Sequence, residues 1–113
     1  MRGLVSNHTP ILWSGQRTRY EFQLHPIGTA YFDKPGVYIF CKAGPDGTWY
    51  AIYVGETNSF KVRLTDNLAN HHRWQCILAA GATHICTRHV PRYSRVAIET
   101  DLRNSLNPPC NRQ

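Results

Sequence analysis

The sequence predicts an α+β domain in which a small antiparallel sheet of three strands is flanked by about three helices. Two strand-like segments lie on either side of a turn rich in glycine and proline. They are followed by helix, helix, strand and helix signals, in that order. Helices that follow a hairpin in this way segregate to a small sheet instead of alternating with parallel strands, and this is the arrangement of an α+β domain.

A β-hairpin is the clearest local signal. Residues 36–43 (GVYIFCKA) and 48–55 (TWYAIYVG) are rich in β-branched and aromatic side chains, which favour strands. The intervening residues 44–47 read GPDG, a strong turn signal. Residues 1–33 are interrupted by prolines and glycines, and within them only Tyr20–Leu24 alternates like a strand. We therefore expect an N-terminal arm or edge strand over residues 1–33 and the main domain over residues 34–113.

Two helices are predicted after the hairpin. Asn58 or Ser59 can cap the first, which runs to about Asn70, because their side chains accept hydrogen bonds from the free amides of a first turn. Leu64 and Leu68 would face inward from this helix. The second helix covers residues 73–80 and ends at Gly81.

The remaining chain predicts a third strand over residues 82–90 and a final helix. Ser94 can cap this helix, which runs to about Leu106 with an apolar face made by Ile98, Leu102 and Leu106. Two consecutive prolines at 108 and 109 prevent its continuation.

The charge balance favours a polyanionic partner. The 113 residues carry 13 Lys and Arg against seven Asp and Glu, a net charge of +6, and eight of the 13 cations lie after residue 56. No apolar run approaches the ~18 residues of a membrane span, so no membrane association is expected. Since the N-terminal sequence also lacks a signal-peptide pattern, we expect a cytoplasmic protein.

Cysteine and histidine are spaced unlike the ligands of a structural zinc site. The four cysteines form no CxxC pair, and the cluster at residues 71, 72, 76, 84, 86 and 89 matches no finger or ribbon. We therefore expect no zinc and four reduced thiols.

Two short motifs occupy the predicted hairpin, Gly36-Val37-Tyr38 on the first strand and Tyr53-Val54-Gly55 on the second. Together they resemble the signature of the GIY-YIG nuclease family. The family places an arginine on the following helix, ten residues after the second tyrosine, where this chain has Arg63. The family's later pattern E-x-x-L-x-x-x-x-x-P-x-x-N is matched from Glu99 to Asn111. The resemblance covers about residues 36–111.

The register of the hairpin decides whether the two motif tyrosines meet. With a four-residue loop, Tyr38 lies opposite Tyr53 on one face, with Cβ atoms ~5 Å apart. A glycine bulge in the turn would shift the pairing by one residue and send the phenols to opposite faces, unless a second bulge compensates.

The resemblance implies a metal-dependent endonuclease that hydrolyses DNA phosphodiester bonds to 5′-phosphate and 3′-hydroxyl ends. Glu99 would hold one Mg²⁺ or Mn²⁺, and Tyr38 or Tyr53 would be the base. Arg63 would neutralise charge on the phosphoryl oxygens, and Asn111 would fix the glutamate or the last turn. The arginine suits this task because its planar fork matches a phosphate in two hydrogen bonds.

A non-catalytic nucleic-acid-binding protein of the same fold is the alternative. Many family members carry His or Tyr four residues after the arginine, where this chain has Asn67, and the lysine often found after the second motif is absent. Asn67 is one secondary candidate for the site, and His71 and His72, further along, are two more, either of which could supply the proton transfer that an asparagine cannot.

Contacts to DNA are expected from the cations of the second half of the chain. The candidates are Lys61, Arg88, Arg92, Arg95 and Arg112, with Trp74 and Tyr93 as stacking groups. Because such contacts go to the backbone, affinity should depend on salt and show little intrinsic sequence specificity.

Overall fold

A five-stranded antiparallel sheet organises the protein, in a computed structural model that describes residues 9–112. The strands are β1 (Thr9–Ser14), β2 (Arg19–Pro26), β3 (Gly36–Ala43), β4 (Trp49–Thr57) and β5 (His84–His89). Their order in the sheet is β1-β2-β5-β3-β4. The α+β class is therefore confirmed, as are the hairpin β3–β4 and the later strand β5.

The predicted three-stranded sheet is wrong, because β1 and β2 extend it beyond β5. Trp13 and Phe22 are buried in the core, which holds this second hairpin against the rest of the sheet. Prolines made the segment look irregular in sequence. Pro10 is tolerated because β1 is an edge strand, and Pro26 is the last residue of β2.

Helical segments cover both faces of the sheet. They are a π-helical turn (Lys61–Asp66), 3₁₀ turns (Leu68–Asn70 and Pro109–Asn111), α1 (Trp74–Ala79) and α2 (Arg92–Leu106). The stop of the second predicted helix at Gly81 is confirmed, since Gly81 has a φ of +83°. The final helix begins at Arg92, directly after Pro91, and not at Ser94 as predicted.

The first predicted helix is divided into two short turns. The amide of Asn67 donates to the carbonyl of Val62, five residues back, so the backbone there is wound more loosely than an α-helix. Ser59 fulfils the predicted capping role, because its hydroxyl oxygen accepts a hydrogen bond of 3.1 Å from the Val62 amide. Arg63 lies on this π-helical turn.

Two apolar clusters lie on opposite faces of the sheet. On one face Leu102 of α2 is fully buried among Val37, Ile39 and other core residues, with Ile98 and Leu106 packed around them, as predicted. The other face carries the second cluster, the aromatic cluster, in which four of the nine residues have aromatic rings. It consists of Tyr38, Phe40, Ile52, Tyr53, Phe60, Leu64, Ile77, Ile85 and Cys110, with Leu68 packed against it.

A β-bulge sets the register of the β3–β4 hairpin. Near the turn Cys41 pairs with Ala51, but on the other side of the bulge Phe40 pairs with Tyr53, so Ile52 has no partner. The bulge compensates for the shift introduced at the turn. Tyr38 consequently lies on the same face as Tyr53, diagonally across the strands, with ring centroids 6.1 Å apart.

The two motif glycines allow close packing that a side chain would prevent. A Cβ at Gly36 would overlap the backbone carbonyl of Arg88 on β5. A Cβ at Gly55 would lie 2.5 Å from the hydroxyl end of Tyr38 and 2.9 Å from the ring of Tyr53. Gly55 therefore makes room on β4 for the phenol of β3.

Gly55→Ala should destabilise the protein by about 1–3 kcal/mol, because the added methyl group has to displace two buried rings. Urea unfolding of the purified variants measures this effect. Gly47→Asn is the comparison, since Gly47 has open space around it and the cost of its φ of +82°, which asparagine adopts more readily than most residues, should be smaller than that of the overlap at Gly55. Equal unfolding free energies for Gly55→Ala and the wild type would contradict close packing of the Tyr38 and Tyr53 rings against Gly55.

The expectation of four reduced thiols is wrong for one pair. Cys76 of α1 and Cys110 of the last 3₁₀ turn form a disulfide, with Cα atoms 5.8 Å apart, a separation suited to a bridge. These residues are 34 positions apart in sequence, and the fold alone brings them together. Cys41 and Cys86 are free and buried, as expected. Within residues 9–112, no helix has the length and apolar character needed to cross a membrane.

Candidate active site

A cleft of about 210 Å³ opens beside the aromatic cluster, on the side of the π-helical turn. Its walls include Arg63, Asn67, His71 and His72. The structure thus brings the predicted arginine and all three secondary candidates to one place. Tyr38, beneath them, is inaccessible to solvent.

Tyr38 is held by two donors. His71 Nε2 lies 2.7 Å from the phenol oxygen, and Arg63 donates to the same oxygen over 3.3 Å. The tautomer of His71 follows from its other nitrogen, Nδ1, which accepts a hydrogen bond of 3.0 Å from the Arg73 amide. A neutral His71 therefore carries its proton on Nε2 and donates it to Tyr38.

Burial dominates the electrostatics of the phenols and of His71. It raises the pKa of Tyr38, and the cation of Arg63 opposes this increase only in part. It also raises the pKa of Tyr53, with the charge of Glu99 adding to the effect. The pKa of His71 is lowered to about 4, first by burial and then by the charges of His72, Arg63 and Arg73.

Loss of stability between pH 6.5 and pH 4 is expected from His71. The unfolded chain binds a proton at this histidine near pH 6.5, whereas the folded chain does so only near pH 4, so acidification favours unfolding in this window. The contribution is about 2–3 kcal/mol, and it is fully present above pH 6.5. Urea unfolding of the wild type and of His71→Gln at pH 7.5 and pH 4.5 measures this contribution. The decrease in unfolding free energy between the two pH values should be about 2–3 kcal/mol smaller for His71→Gln. Equal losses for the two proteins would contradict a buried neutral His71.

Tyr53 is more accessible than Tyr38, and it contacts a residue of the cleft wall. It is 9% exposed, and its hydroxyl lies 3.4 Å from Nε2 of His72, an exposed residue. The ring of His72 stacks on His71 with centroids 4.8 Å apart. The two histidines therefore pair one to one with the two motif tyrosines, a link that sequence spacing did not reveal.

Glu99 reaches the same region from α2. Its side chain is 13% exposed and forms an ion pair of 3.4 Å with Arg103, one helical turn away. Burial raises the pKa of the Glu99 carboxyl, while Arg103 opposes the change. Because the charge of Glu99 also raises the pKa of Tyr53, this carboxylate lies within electrostatic range of that phenol.

The donor set can accommodate a magnesium ion but not a metal held by protein ligands alone. In the part of the chain that the structure describes, no three His, Cys, Asp or Glu side chains cluster as ligands. Mg²⁺ does not need such a cluster, because it is often bound by one or two carboxylates while it keeps several waters and contacts a substrate phosphate. The Glu99 carboxylate is the residue that would hold such an ion, since the Glu56 carboxylate is already paired with Arg95.

Asn111 is engaged with the backbone of β4. Its Oδ1 accepts a hydrogen bond of 2.8 Å from the Val54 amide, and its Nδ2 donates to the Val54 carbonyl over 2.9 Å. The side chain thus pairs with the outer edge of β4, next to Tyr53. It fixes the last turn, which is one of the two roles predicted for it.

The predicted DNA-binding cations are placed very differently from one another. Arg95 is buried and donates to the Glu56 carboxylate and the Asn58 side chain, so its guanidinium is occupied within the protein. Arg88 lies over the ring of Tyr20 and donates to a backbone carbonyl of β2. These two arginines have structural partners.

The other candidates are more accessible. Lys61 is exposed but forms an ion pair of 2.8 Å with Asp66. Arg92 and Arg112 are exposed. Of the two stacking candidates, Tyr93 is 89% exposed, whereas Trp74 packs against Phe40 with centroids 6.1 Å apart.

Comparison with known proteins returns no matching family model, curated protein or solved structure.

Proposed function

We propose that this protein is a metal-dependent endonuclease that hydrolyses DNA phosphodiester bonds and leaves 5′-phosphate and 3′-hydroxyl ends. The observation that carries the proposal is the convergence of Tyr38, Tyr53 and Arg63 at one cleft, with Glu99 in electrostatic range of Tyr53. Such a site offers a cation for a phosphate, a carboxylate for a metal and polar groups for proton transfer.

Arg63 is the group that binds the scissile phosphate. Among residues 9–112, the hydrogen-bond partner of its guanidinium is the Tyr38 oxygen, so further N–H donors remain for a ligand in the cleft. These donors bind phosphoryl oxygens most strongly as negative charge builds up on them during attack. Tyr38, already bound by His71, positions the guanidinium for this task.

Tyr53 is the better candidate for proton transfer. Tyr38 is inaccessible and accepts hydrogen bonds from both of its neighbours, so it has no route to a water in the cleft. Tyr53 has an exposed imidazole, that of His72, within hydrogen-bond distance. Its hydroxyl can pass a proton to that ring as it receives one from the attacking water.

Glu99 is the ligand for one Mg²⁺ or Mn²⁺. The bound ion would supply neutralising charge to the phosphate and to the departing 3′ oxygen. The Glu99 carboxylate must be ionised to bind a cation, and it must exchange its contact with Arg103 for the metal. Binding to DNA would be through its backbone, with accessible cations such as Arg92 and Arg112 in contact with phosphates.

A nucleic-acid-binding protein without turnover is the alternative. Two observations favour it: burial raises the pKa of both phenols, and Arg103 already neutralises Glu99. Neither a protonated phenol nor an engaged carboxylate promotes hydrolysis.

Parallel cleavage and binding assays decide between the two functions. Supercoiled plasmid should be nicked by the purified protein in Mg²⁺ and remain intact in EDTA, and a labelled duplex should be bound in both buffers. Binding without nicking would establish the alternative. Absence of both activities would contradict the proposal and the alternative alike.

A further inference from the structure

A second depression, of about 360 Å³, lies on the same face of the sheet as Tyr38, and its volume is typical of ligand sites. Gln23 and Thr87 contribute to its lining. Gln23 is the register partner of Thr87, which is in turn the partner of Tyr38. The three side chains form one row across β2, β5 and β3, so Gln23 is roughly 10 Å from Tyr38 at ~4.8 Å per strand.

Aromatic rings form much of this pocket. The Tyr31 ring contacts Phe60, with centroids 6.4 Å apart, and Phe60 also belongs to the cluster around Tyr38. Phe32, also in the lining, is 81% exposed. A phenylalanine ring that remains in water beside a pocket provides a flat surface on which a planar ligand can stack.

The charge of the pocket suits an anionic ligand. Lys34 lies in the lining together with two histidines, and the lining contains no aspartate or glutamate. A ligand that combines a planar ring with a negatively charged group would be complementary to Phe32 and Lys34 together.

Two polar atoms of the pocket lining lack a partner. The Oε1 atom of Gln23 and the hydroxyl of Tyr31 are buried and have no hydrogen-bond partner within residues 9–112, and Gln23 Oε1 can act only as an acceptor. A buried acceptor without a donor is unfavourable, and a ligand that brings an N–H group would remove the penalty. The exocyclic amino group of a nucleobase is such a donor.

We propose that this pocket receives a single unstacked nucleobase that carries an exocyclic amino group, such as adenine. This inference rests on the proposed function in one respect, that nucleic acid is the partner. The base would stack on Phe32 and, as the Gln23 side chain turns its buried Oε1 atom toward the pocket, donate its amino group to that oxygen, while Lys34 contacts a phosphate of the same strand. Because Gln23 is only roughly 10 Å from Tyr38 on the same face, a strand whose base lies in the pocket can extend toward the cleft above Tyr38.

Fluorescence anisotropy with labelled single strands in EDTA tests the pocket without cleavage. The probes are short thymine strands with either adenine or thymine at the central position. The wild type should bind the adenine strand about tenfold more tightly. Phe32→Ala should weaken binding of both strands about tenfold, because it removes the stacking surface.

Gln23→Met keeps the shape of the side chain and removes its acceptor, so it should abolish the preference for adenine and leave affinity for the thymine strand unchanged. Leu12→Ala, which truncates an apolar side chain that is 58% exposed on β1, is the control and should bind both strands as the wild type does. Thermal unfolding verifies that each variant is folded. If Gln23→Met does not fold, two results still test the pocket. They are the preference of the wild type for the adenine strand and the loss of affinity in Phe32→Ala.

The proposal is overturned if the wild type binds both strands equally or not at all, or if Phe32→Ala binds as tightly as the wild type. These outcomes are distinguishable from failure of the proposed function. A protein that prefers adenine through Gln23 but never nicks plasmid would retain the pocket and lose the nuclease. If the wild type and Phe32→Ala both nick plasmid, and the wild type binds the adenine and thymine strands equally, the nuclease proposal stands and the nucleobase pocket is rejected.

Discussion

Arg63→Lys should lower the rate of Mg²⁺-dependent plasmid nicking about a hundredfold, and Arg63→Ala about a thousandfold. Lysine keeps the positive charge but not the planar fork, so it cannot hold two phosphoryl oxygens while it also contacts Tyr38. Loss of one preorganised donor to a developing oxyanion typically reduces turnover ~10²–10³-fold. Initial rates at saturating plasmid, measured for each variant, give the effect on turnover separately from the effect on affinity.

Arg19→Lys is the matched control for this experiment, since Arg19 is exposed at the start of β2 and outside the cleft. Its nicking rate should equal that of the wild type. Folding is a further control. His71 still donates to the Tyr38 oxygen when Arg63 is replaced, so unfolding free energies should change by no more than about 1–2 kcal/mol. Nicking by Arg63→Ala at the wild-type rate would exclude Arg63 from the reaction.

Local signals in the sequence were sufficient for the elements whose ends are defined by nearby residues. The turn at residues 44–47, the stop at Gly81 and the apolar face of α2 around Leu102 are each determined within a few positions. The pairing of β2 with β5 is different, because it joins residues that are about 60 positions apart in sequence. No local pattern specifies such a pairing, although the alternation at Tyr20–Leu24 did indicate a strand within β2.

In the candidate site, too, local sequence patterns predicted some features, while contacts between distant residues could not be predicted. The motif residues Tyr38, Tyr53 and Arg63 could be selected from sequence because their spacing resembles a known signature, and they lie around one cleft. Their hydrogen-bond partners could not be selected in this way. The orientation of His71 depends on the Arg73 amide, a detail of backbone geometry in the turn before α1.

Arg95 shows that a positive charge in the sequence does not by itself identify a DNA contact. Its position on α2 suggested a surface cation, yet it is buried against Glu56 and Asn58. The acidic partner is 39 residues away in sequence, so the ion pair could be recognised only once β4 and α2 were placed together. An ion pair between a helix and the end of a strand can be predicted only when the packing of that helix on that strand is already known.

Glu99→Gln should lower Mg²⁺-dependent nicking about a thousandfold and leave DNA binding in EDTA intact. The amide keeps the size of the side chain but has no negative charge with which to bind a divalent cation. Anisotropy in EDTA measures binding, and nicking over a range of Mg²⁺ concentrations measures the dependence on metal. Glu21→Gln, an equivalent change at an exposed position of β2, should behave as the wild type.

Metal binding at Glu99 has a readout that does not depend on activity. A ligand that binds only the folded state raises the unfolding temperature, so Mg²⁺ should stabilise the wild type but not Glu99→Gln. Arg103→Ala removes the guanidinium that competes for the carboxylate, so its stabilisation by Mg²⁺ should appear at lower concentration than in the wild type. Equal stabilisation of the wild type and Glu99→Gln by Mg²⁺ would place the ion elsewhere. If Glu99→Gln also nicked plasmid normally, Glu99 would have only its structural contact with Arg103.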